Sequence, residues 1–115
     1  MKLLAGNIFN PVPETGDKET VTPLVERPEM RIESIVSLGH TTPAGEWYDQ
    51  PRDEWVMVLA GNARLAIESE AAERSLTVGD HILLPAGCRH RVTWTDPHTS
   101  TIWLAVHFAQ QQESP

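Results

Sequence analysis

At 115 residues, the chain has the length of one domain with a single hydrophobic core, too short for separate cofactor and substrate domains. Its formal net charge of -7 argues against binding to a phosphate backbone or an anionic membrane, because both require clustered lysine and arginine. We therefore predict a partner that is a small molecule or a protein, with no nucleic acid and no membrane.

The single cysteine, Cys88, has no partner for an intramolecular disulfide. The N-terminal "MKLLAGNIFN" becomes polar at Asn7, before an apolar region of signal-peptide length develops. These two features predict a reducing, cytoplasmic setting. No apolar run approaches the length of a membrane-spanning helix.

The chain is predicted to be one domain over residues 1–115. Residues 1–29 are predicted to form an extended N-terminal arm and a loop, since "PVPETGDKET" is rich in proline, glycine and charge. The last residues, 110–115, are predicted to be a flexible tail.

The segment "MRIESIVSL" alternates apolar and polar residues, as a half-buried strand does. Ile32, Val36 and Leu38 share one parity, while Arg31 and Glu33 point the other way. The following "TTPAGEWYDQPRDE" contains two prolines and a glycine, which predicts a long loop or an irregular edge. Functional side chains often lie on such segments.

The rest of the chain has a period of two, with turn residues between short apolar runs. "EWVMVLAG" and "ARLAIES" meet at the turn pair Gly61 and Asn62, which predicts a hairpin. "RSLTVGD", "HILLPAG", "HRVTWT" and "TIWLAVHFA" predict further strands. No stretch combines helix caps with a 3.6-residue period, so the chain is predicted to be an all-β antiparallel sandwich or barrel.

The segment "GDHILLPAGCRH" resembles the second signature of the cupin superfamily, which has glycine, proline, glycine and histidine at fixed spacing. Those four positions are occupied here by Gly79, Pro85, Gly87 and His90. Upstream, Glu54 precedes Gly61 by seven positions, which is similar to the end of the first cupin signature. The resemblance implies a small single-domain cupin, with an antiparallel jelly-roll barrel.

The first signature also shows a departure. In metal-binding cupins, a His-x-His pair stands three or four residues before the glutamate, and it forms the metal site together with the histidine of the second signature. This chain lacks the pair. The shorter spacing puts Tyr48 and Gln50 in the histidine positions, and the longer spacing puts Trp47 and Asp49 there.

A divalent metal needs several convergent donors, and imidazole and carboxylate suit iron, manganese, nickel or zinc. Glu54 and His90 would supply two, and Asp49 or Gln50 would supply the rest from a loop whose prolines leave side-chain direction open. The expected metal site is therefore an atypical, incomplete set of these four residues. The alternative is a hydrogen bond or an ion pair between Glu54 and His90 with no metal.

A strand places His90, Val92 and Trp94 on one face, and the apolar pair predicts that this face lines the interior. Trp94 is thus predicted to stack on a flat or apolar ligand in the cavity, with Tyr48 as a second ligand-binding residue.

Two other histidines stay open at this point. His40 lies just past a strand end and is more typical of a solvated loop residue than of a ligand. His107 alternates with Trp103 and Ala105, so it faces the interior only if that face of the strand does.

Two classes of function remain. One is a barrel that binds a small molecule, with Glu54 and His90 as polar anchors. The other is a metal-dependent enzyme of the dioxygenase or isomerase type, acting on a small carbonyl or aromatic substrate. The apolar N-terminal piece "KLLAGNIFN" could add to the sheet of a neighbouring copy, which predicts a homodimer.

Overall fold

The computed structural model of the chain describes residues 1–109, and the tail predicted at 110–115 lies outside the described residues. Within residues 1–109, eight strands and no helix are present. The strands are β1 (Thr20–Arg27), β2 (Met30–Ser37), β3 (Asp53–Ala60), β4 (Asn62–Ile67), β5 (Arg74–Thr77), β6 (His81–Leu84), β7 (His90–Thr95) and β8 (Thr101–Phe108). The all-β prediction is confirmed.

The strands form two antiparallel sheets, one of five strands in the order β1-β2-β8-β3-β6 and one of three in the order β5-β4-β7. Side chains from both sheets pack into one hydrophobic core between them. Its buried members are Val56, Val58, Ala63, Leu65, Ile67, Leu76, Leu84, Trp103 and Ala105. This arrangement is the expected jelly-roll barrel. None of the described residues belongs to a helix long and apolar enough to cross a membrane.

Strand β1 lies within the segment that the sequence assigned to the arm and loop. Its alternation is masked by Pro23, because a proline inside an apolar run normally argues against a strand. β1 is an edge strand, where a missing amide hydrogen costs no ladder bond on the open side. The register with β2 shifts between Pro23 and Val25, which marks a β-bulge or irregularity.

Strand β2 presents its charged face to the barrel interior. Arg31, Glu33 and Ile35 line the cavity, while Val36, on the other face, is also buried. If the strand followed the usual alternation, with apolar residues facing the core and charged residues facing solvent, Arg31 and Glu33 would both face solvent. In the structure Glu33 is buried, and ionisable partners beside it compensate its burial, whereas the Arg31 side chain stays 42% exposed at the cavity.

The turn between β3 and β4 requires a glycine. Gly61 has φ of +83°, in the left-handed region, and a Cβ there would lie 2.6 Å from the Cα of Thr101. The hairpin is thereby held close to the start of β8. This contact fixes one end of β3, and Glu54 stands near the other end.

Candidate functional site

A cavity of about 310 Å³ lies inside the barrel, lined by both sheets. Its apolar lining consists of Val21, Ile35, Val56, Leu65, Leu84, Val92 and Trp103. Its polar lining consists of Glu19, Arg31, Glu33, Tyr48, Gln50, Glu54, His90 and His107. A cavity that combines apolar walls with convergent polar groups is typical of a small-molecule site.

The backbone amides of the turn that precedes β7 donate hydrogen bonds to neighbouring segments. The Gly87 amide donates to the Gln50 carbonyl at 2.9 Å, and the Ala86 amide donates to the Asp53 carboxylate at 2.8 Å. The turn is thus fixed both to the loop before β3 and to the start of β3 itself. These bonds set the position of His90, the first residue of β7.

His90 and Glu54 form a buried pair. The His90 Nε2 lies 3.3 Å from Glu54 Oε1, and the two residues are 5% and 8% exposed. On the other side of the ring, His90 Nδ1 lies 2.9 Å from the Cys88 carbonyl oxygen. Because a carbonyl oxygen only accepts, Nδ1 carries a hydrogen and Nε2 is the nitrogen that faces Glu54.

This environment changes the proton affinity of His90. Burial lowers the pKa of His90, but the hydrogen bonds to Glu54 and to the Cys88 carbonyl, together with the Glu54 charge, raise it by more. The net pKa lies above the ordinary value of 6.5. These surroundings therefore favour the protonated form of His90 more than water does.

A second buried pair, Glu33 and His107, adjoins the first. His107 Nε2 lies 3.0 Å from Glu33 Oε1 and 3.4 Å from Glu54 Oε2, so one ring nitrogen faces two carboxylates. Arg31 Nε lies 3.0 Å from Glu33 Oε2, an ion-pair distance, although its hydrogen is not aimed for a hydrogen bond. The four residues Glu33, His107, Glu54 and His90 form a continuous array, which we call the buried array.

The sheet register brings these groups together. Arg31 is paired with His107 across β2 and β8, and His107 is paired with Glu54 across β8 and β3. The sequence left the direction of His107 open and placed Glu33 on the polar face of its half-buried strand, with no site role. The sequence offered one sign that His107 faces the cavity, namely that it shares a strand face with Trp103. Its partners Glu33 and Glu54 follow only from the sheet order, in which β8 lies between β2 and β3.

The loop before β3 follows the shorter of the two spacings. Tyr48 and Gln50 line the cavity, whereas Asp49 is exposed and Trp47 does not line the cavity. The Tyr48 and His90 backbones form an isolated β-bridge, and their rings stack with centroids 5.5 Å apart. Of the four residues expected as metal ligands, Gln50, Glu54 and His90 thus share the cavity, and Asp49 lies outside it.

Tyr48 itself is 40% exposed and covers one face of the His90 ring. Burial of its inner part raises the pKa of Tyr48, and the Glu19 and Glu54 carboxylates raise it further. The phenol therefore stays protonated and offers a hydrogen-bond donor.

Trp94 does not enter the cavity, contrary to the expectation from parity. In the pairing of β4 with β7, Arg64 is opposite Trp94 but Leu65 is opposite Val92, so Thr93 is an extra residue in a β-bulge. A bulge of one residue reverses which face the following side chains occupy. Val92 consequently lines the cavity, whereas Trp94 lies outside it under the Arg64 guanidinium, 5.0 Å from the ring centroid.

His40 has local hydrogen-bond partners in the loops. The Leu38 amide donates to His40 Nδ1 at 2.8 Å, and His40 Nε2 lies 2.8 Å from the Gly16 carbonyl oxygen. Both ring nitrogens are thus engaged in one neutral tautomer. This histidine holds two loops together and does not line the cavity.

Among the described residues, no group of three or more histidine, cysteine, aspartate or glutamate side chains is arranged to hold a metal ion. The geometry explains this, because Glu54 uses a different oxygen for each of His90 and His107. The donors face one another in pairs and do not converge on one point. The residues present therefore do not fit a tightly held metal ion.

Comparison with known proteins gives one family. A family model for the cupin domain matches residues 35–107. No curated protein matches the chain. A solved structure from Ralstonia eutropha, provisionally named a mannose-6-phosphate isomerase, is 48% identical with a TM-score of 0.88, and the match covers 91% of this chain and 97% of that one.

Two more distant structures share the fold. An RmlC-like cupin from Desulfovibrio desulfuricans is 15% identical with a TM-score of 0.74, and the match covers 93% of this chain and 97% of that one. DMSP lyase DddQ from Ruegeria pomeroyi is 20% identical with a TM-score of 0.68, covering 85% of this chain and 50% of that one. At these identities the likeness concerns the fold alone.

Proposed function

The chain belongs to the cupin family, and we propose that it binds a small polar organic molecule in its barrel cavity. The cavity itself supports this proposal. Its volume of about 310 Å³ is at the lower end of the range for small-molecule sites, and ionisable groups converge on an apolar lining. In this function, Glu54 and His90 are the polar anchors and Gln50 and Tyr48 contribute further hydrogen bonds.

The test uses a substitution that fills the cavity. Val92→Phe adds volume at a residue that lines the cavity, so it should abolish binding of any ligand held there. Trp94→Phe, two positions along the same strand and outside the cavity, is the matched control. Binding is measured by calorimetry with sugars, sugar phosphates and hydroxy acids. Equal affinity in wild type and Val92→Phe would place the ligand elsewhere and reject the proposal.

The alternative function is a metal-dependent enzyme of the dioxygenase or isomerase type. One observation favours it: Glu54 and the Nε2 of His90 face the same cavity, and both are common metal donors. Metal analysis of the purified protein distinguishes the two functions. Stoichiometric iron, manganese, nickel or zinc that is lost in Glu54→Gln, and retained in the exposed control Glu73→Gln, would establish the alternative.

We also propose that the chain forms a homodimer through its N-terminal arm. Leu3, Leu4 and Phe9 are 81%, 64% and 53% exposed in the single chain, which is unfavourable for large apolar side chains. A neighbouring copy would cover them. Light scattering should show a dimer in wild type and a monomer in the double variant Leu4→Asp, Phe9→Asp. A wild-type monomer at high micromolar concentration would reject this proposal.

A further inference from the structure

Among the described residues that line the cavity, Arg31 carries the one guanidinium group. Its side chain is 42% exposed, whereas the side chains of Glu33 and Glu54 are 9% and 10% exposed. Arg31 therefore lies at the mouth of the cavity, and the two carboxylates lie deeper. An anionic group bound at the mouth keeps part of its hydration, so binding it there costs less than burying it among the deep carboxylates.

The Arg31 guanidinium has hydrogen-bond donors to spare. Its contact with Glu33 is through Nε, 3.0 Å from Oε2, and within residues 1–109 the buried Nε has no hydrogen-bond acceptor. A guanidinium has five N–H donors in a planar fork, and this fork matches the two oxygens of a carboxylate. One ion-pair contact through Nε leaves most of these donors for a ligand.

The opposite end of β2 carries a negative charge. Glu19 lines the cavity, and its Oε2 accepts a hydrogen bond from the Ser37 hydroxyl at 3.0 Å. Ser37 ends β2, six positions after Arg31, which corresponds to about 20 Å along the strand. An anionic group is thus attracted at the Arg31 end of the cavity and repelled at the Glu19 end, so the charges select one orientation of a bound anion.

The register places Arg31 within reach of the buried array. Arg31 is paired with His107, and His107 is paired with Glu54, so two strand spacings, or about 10 Å, separate the backbones of Arg31 and Glu54. Both side chains line the cavity, and a chain of a few carbon atoms can contact both. Hydroxyl groups on such a chain can donate to the Glu54 carboxylate and to the side-chain oxygen of Gln50.

We propose that Arg31 determines the specificity of the cavity, and that the ligand is a small hydroxy carboxylate. Its carboxylate binds Arg31, and its hydroxyl groups bind Glu54 and Gln50. This inference rests on the proposed function, since it names the class of molecule bound there. A singly charged carboxylate fits better than a doubly charged phosphate, because Glu33 already offsets the charge of Arg31.

The test compares compounds that share a carbon skeleton and differ in charge. Calorimetry with wild-type protein uses gluconate, glucose, glucose 6-phosphate and glucosamine, with glycerate and glycerol as a shorter pair. We expect at least one of the two carboxylates to bind tighter than its neutral counterpart by about tenfold or more. Because Arg31 is partly exposed, added salt should weaken binding of the carboxylate and leave binding of glucose or glycerol unchanged.

Variants of Arg31 give the second readout. Arg31→Gln should weaken binding of the carboxylate by about 30-fold and change binding of the neutral counterpart by less than about threefold. Arg31→Lys keeps the charge and loses the planar fork, so its affinity should lie between those of wild type and Arg31→Gln. Arg27→Gln removes the same charge from an exposed position on β1 outside the cavity, and should bind as wild type does.

The outcomes separate this inference from the proposed function. Circular dichroism establishes folding of each variant, and Arg31→Lys decides if Arg31→Gln does not fold. A neutral compound that binds as tightly as its carboxylate, or an equal loss of both in the variant, overturns the role of Arg31 and leaves small-molecule binding intact. Tighter binding of glucose 6-phosphate or glucosamine than of gluconate also overturns it. If none of the compounds binds, both proposals fail.

Discussion

The two pairs in the buried array are held in different ways. Glu54 and His90, which we call the turn pair, depend on a fastened turn and on the Cys88 carbonyl. Glu33 and His107, which we call the sheet pair, stand on adjacent strands in the middle of the five-stranded sheet. The sheet pair is closer, at 3.0 Å against 3.3 Å. We infer that the sheet pair is mainly structural and that the turn pair is the one that meets the ligand.

The largest effect is expected from breaking the sheet pair. Glu33→Ala leaves His107 and Arg31 without their acceptor, and leaving a buried donor unpaired costs about 2 kcal/mol of the free energy of unfolding. Urea denaturation measures this loss, with Glu73→Ala as the exposed control. A loss below about 1 kcal/mol would show that the sheet pair is not structural.

Breaking the turn pair should lower the free energy of unfolding less than breaking the sheet pair does, and it should weaken ligand binding more. His90→Ala opens a site beside the cavity, where water can reach Glu54, so we expect a loss of about 1 kcal/mol. Ligand binding should be abolished. Thermal unfolding and calorimetry on the same preparation check both. If His90→Ala does not fold, the turn pair is structural, like the sheet pair.

The raised pKa of His90 predicts how the turn pair responds to pH. A group whose folded pKa is above its unfolded value adds stability that is fully present below that unfolded value, 6.5, and is lost as pH rises through the folded pKa. Glu54, Tyr48 and the Cys88 carbonyl face this ring. The stability difference between wild type and His90→Gln should therefore be larger at about pH 6 than at about pH 9.

That pH series is measured by urea denaturation of chelator-treated protein. Subtracting the variant removes the titration of groups far from the site. His98→Gln, at an exposed histidine outside the cavity, is the matched control. A difference that grows with pH would contradict an imidazolium at His90.

The smallest effect is expected in the loop before β3, next to the turn pair. Gln50 lines the cavity and Asp49 does not, so Gln50→Ala should weaken ligand binding by about tenfold and Asp49→Ala should leave it unchanged. Both variants should unfold at nearly the wild-type temperature, because loop substitutions seldom disturb a core. Weaker binding in Asp49→Ala alone would favour the longer spacing for this loop.

The turn pair could be predicted from the sequence, whereas the sheet pair could not. Glu54 and His90 stand at fixed spacings from turn residues such as Gly61 and Gly87, and turns have a local signal. Glu33 and His107 are 74 residues apart in the chain, and only the sheet order makes them neighbours. An alternating pattern shows that two faces exist, but it does not show which face has ionic partners inside.

Trp94 illustrates a second limit of parity arguments. From His90 to Val92 the alternation predicts the observed face, and beyond Thr93 it fails, because the bulge adds one residue without changing the strand's β-branched and aromatic composition. Strand existence was therefore predictable here, and side-chain direction past the bulge was not.

The same bulge gives the protein a selective optical reporter. Of the chain's four tryptophans, all within the described residues, only Trp103 lines the cavity. Trp94 has been turned out under Arg64, Trp47 lies near the guanidinium groups of Arg89 and Arg91, and Trp55 tilts against His81. Replacing those three with phenylalanine would leave an indole whose emission responds to what enters the barrel, with no dye attached.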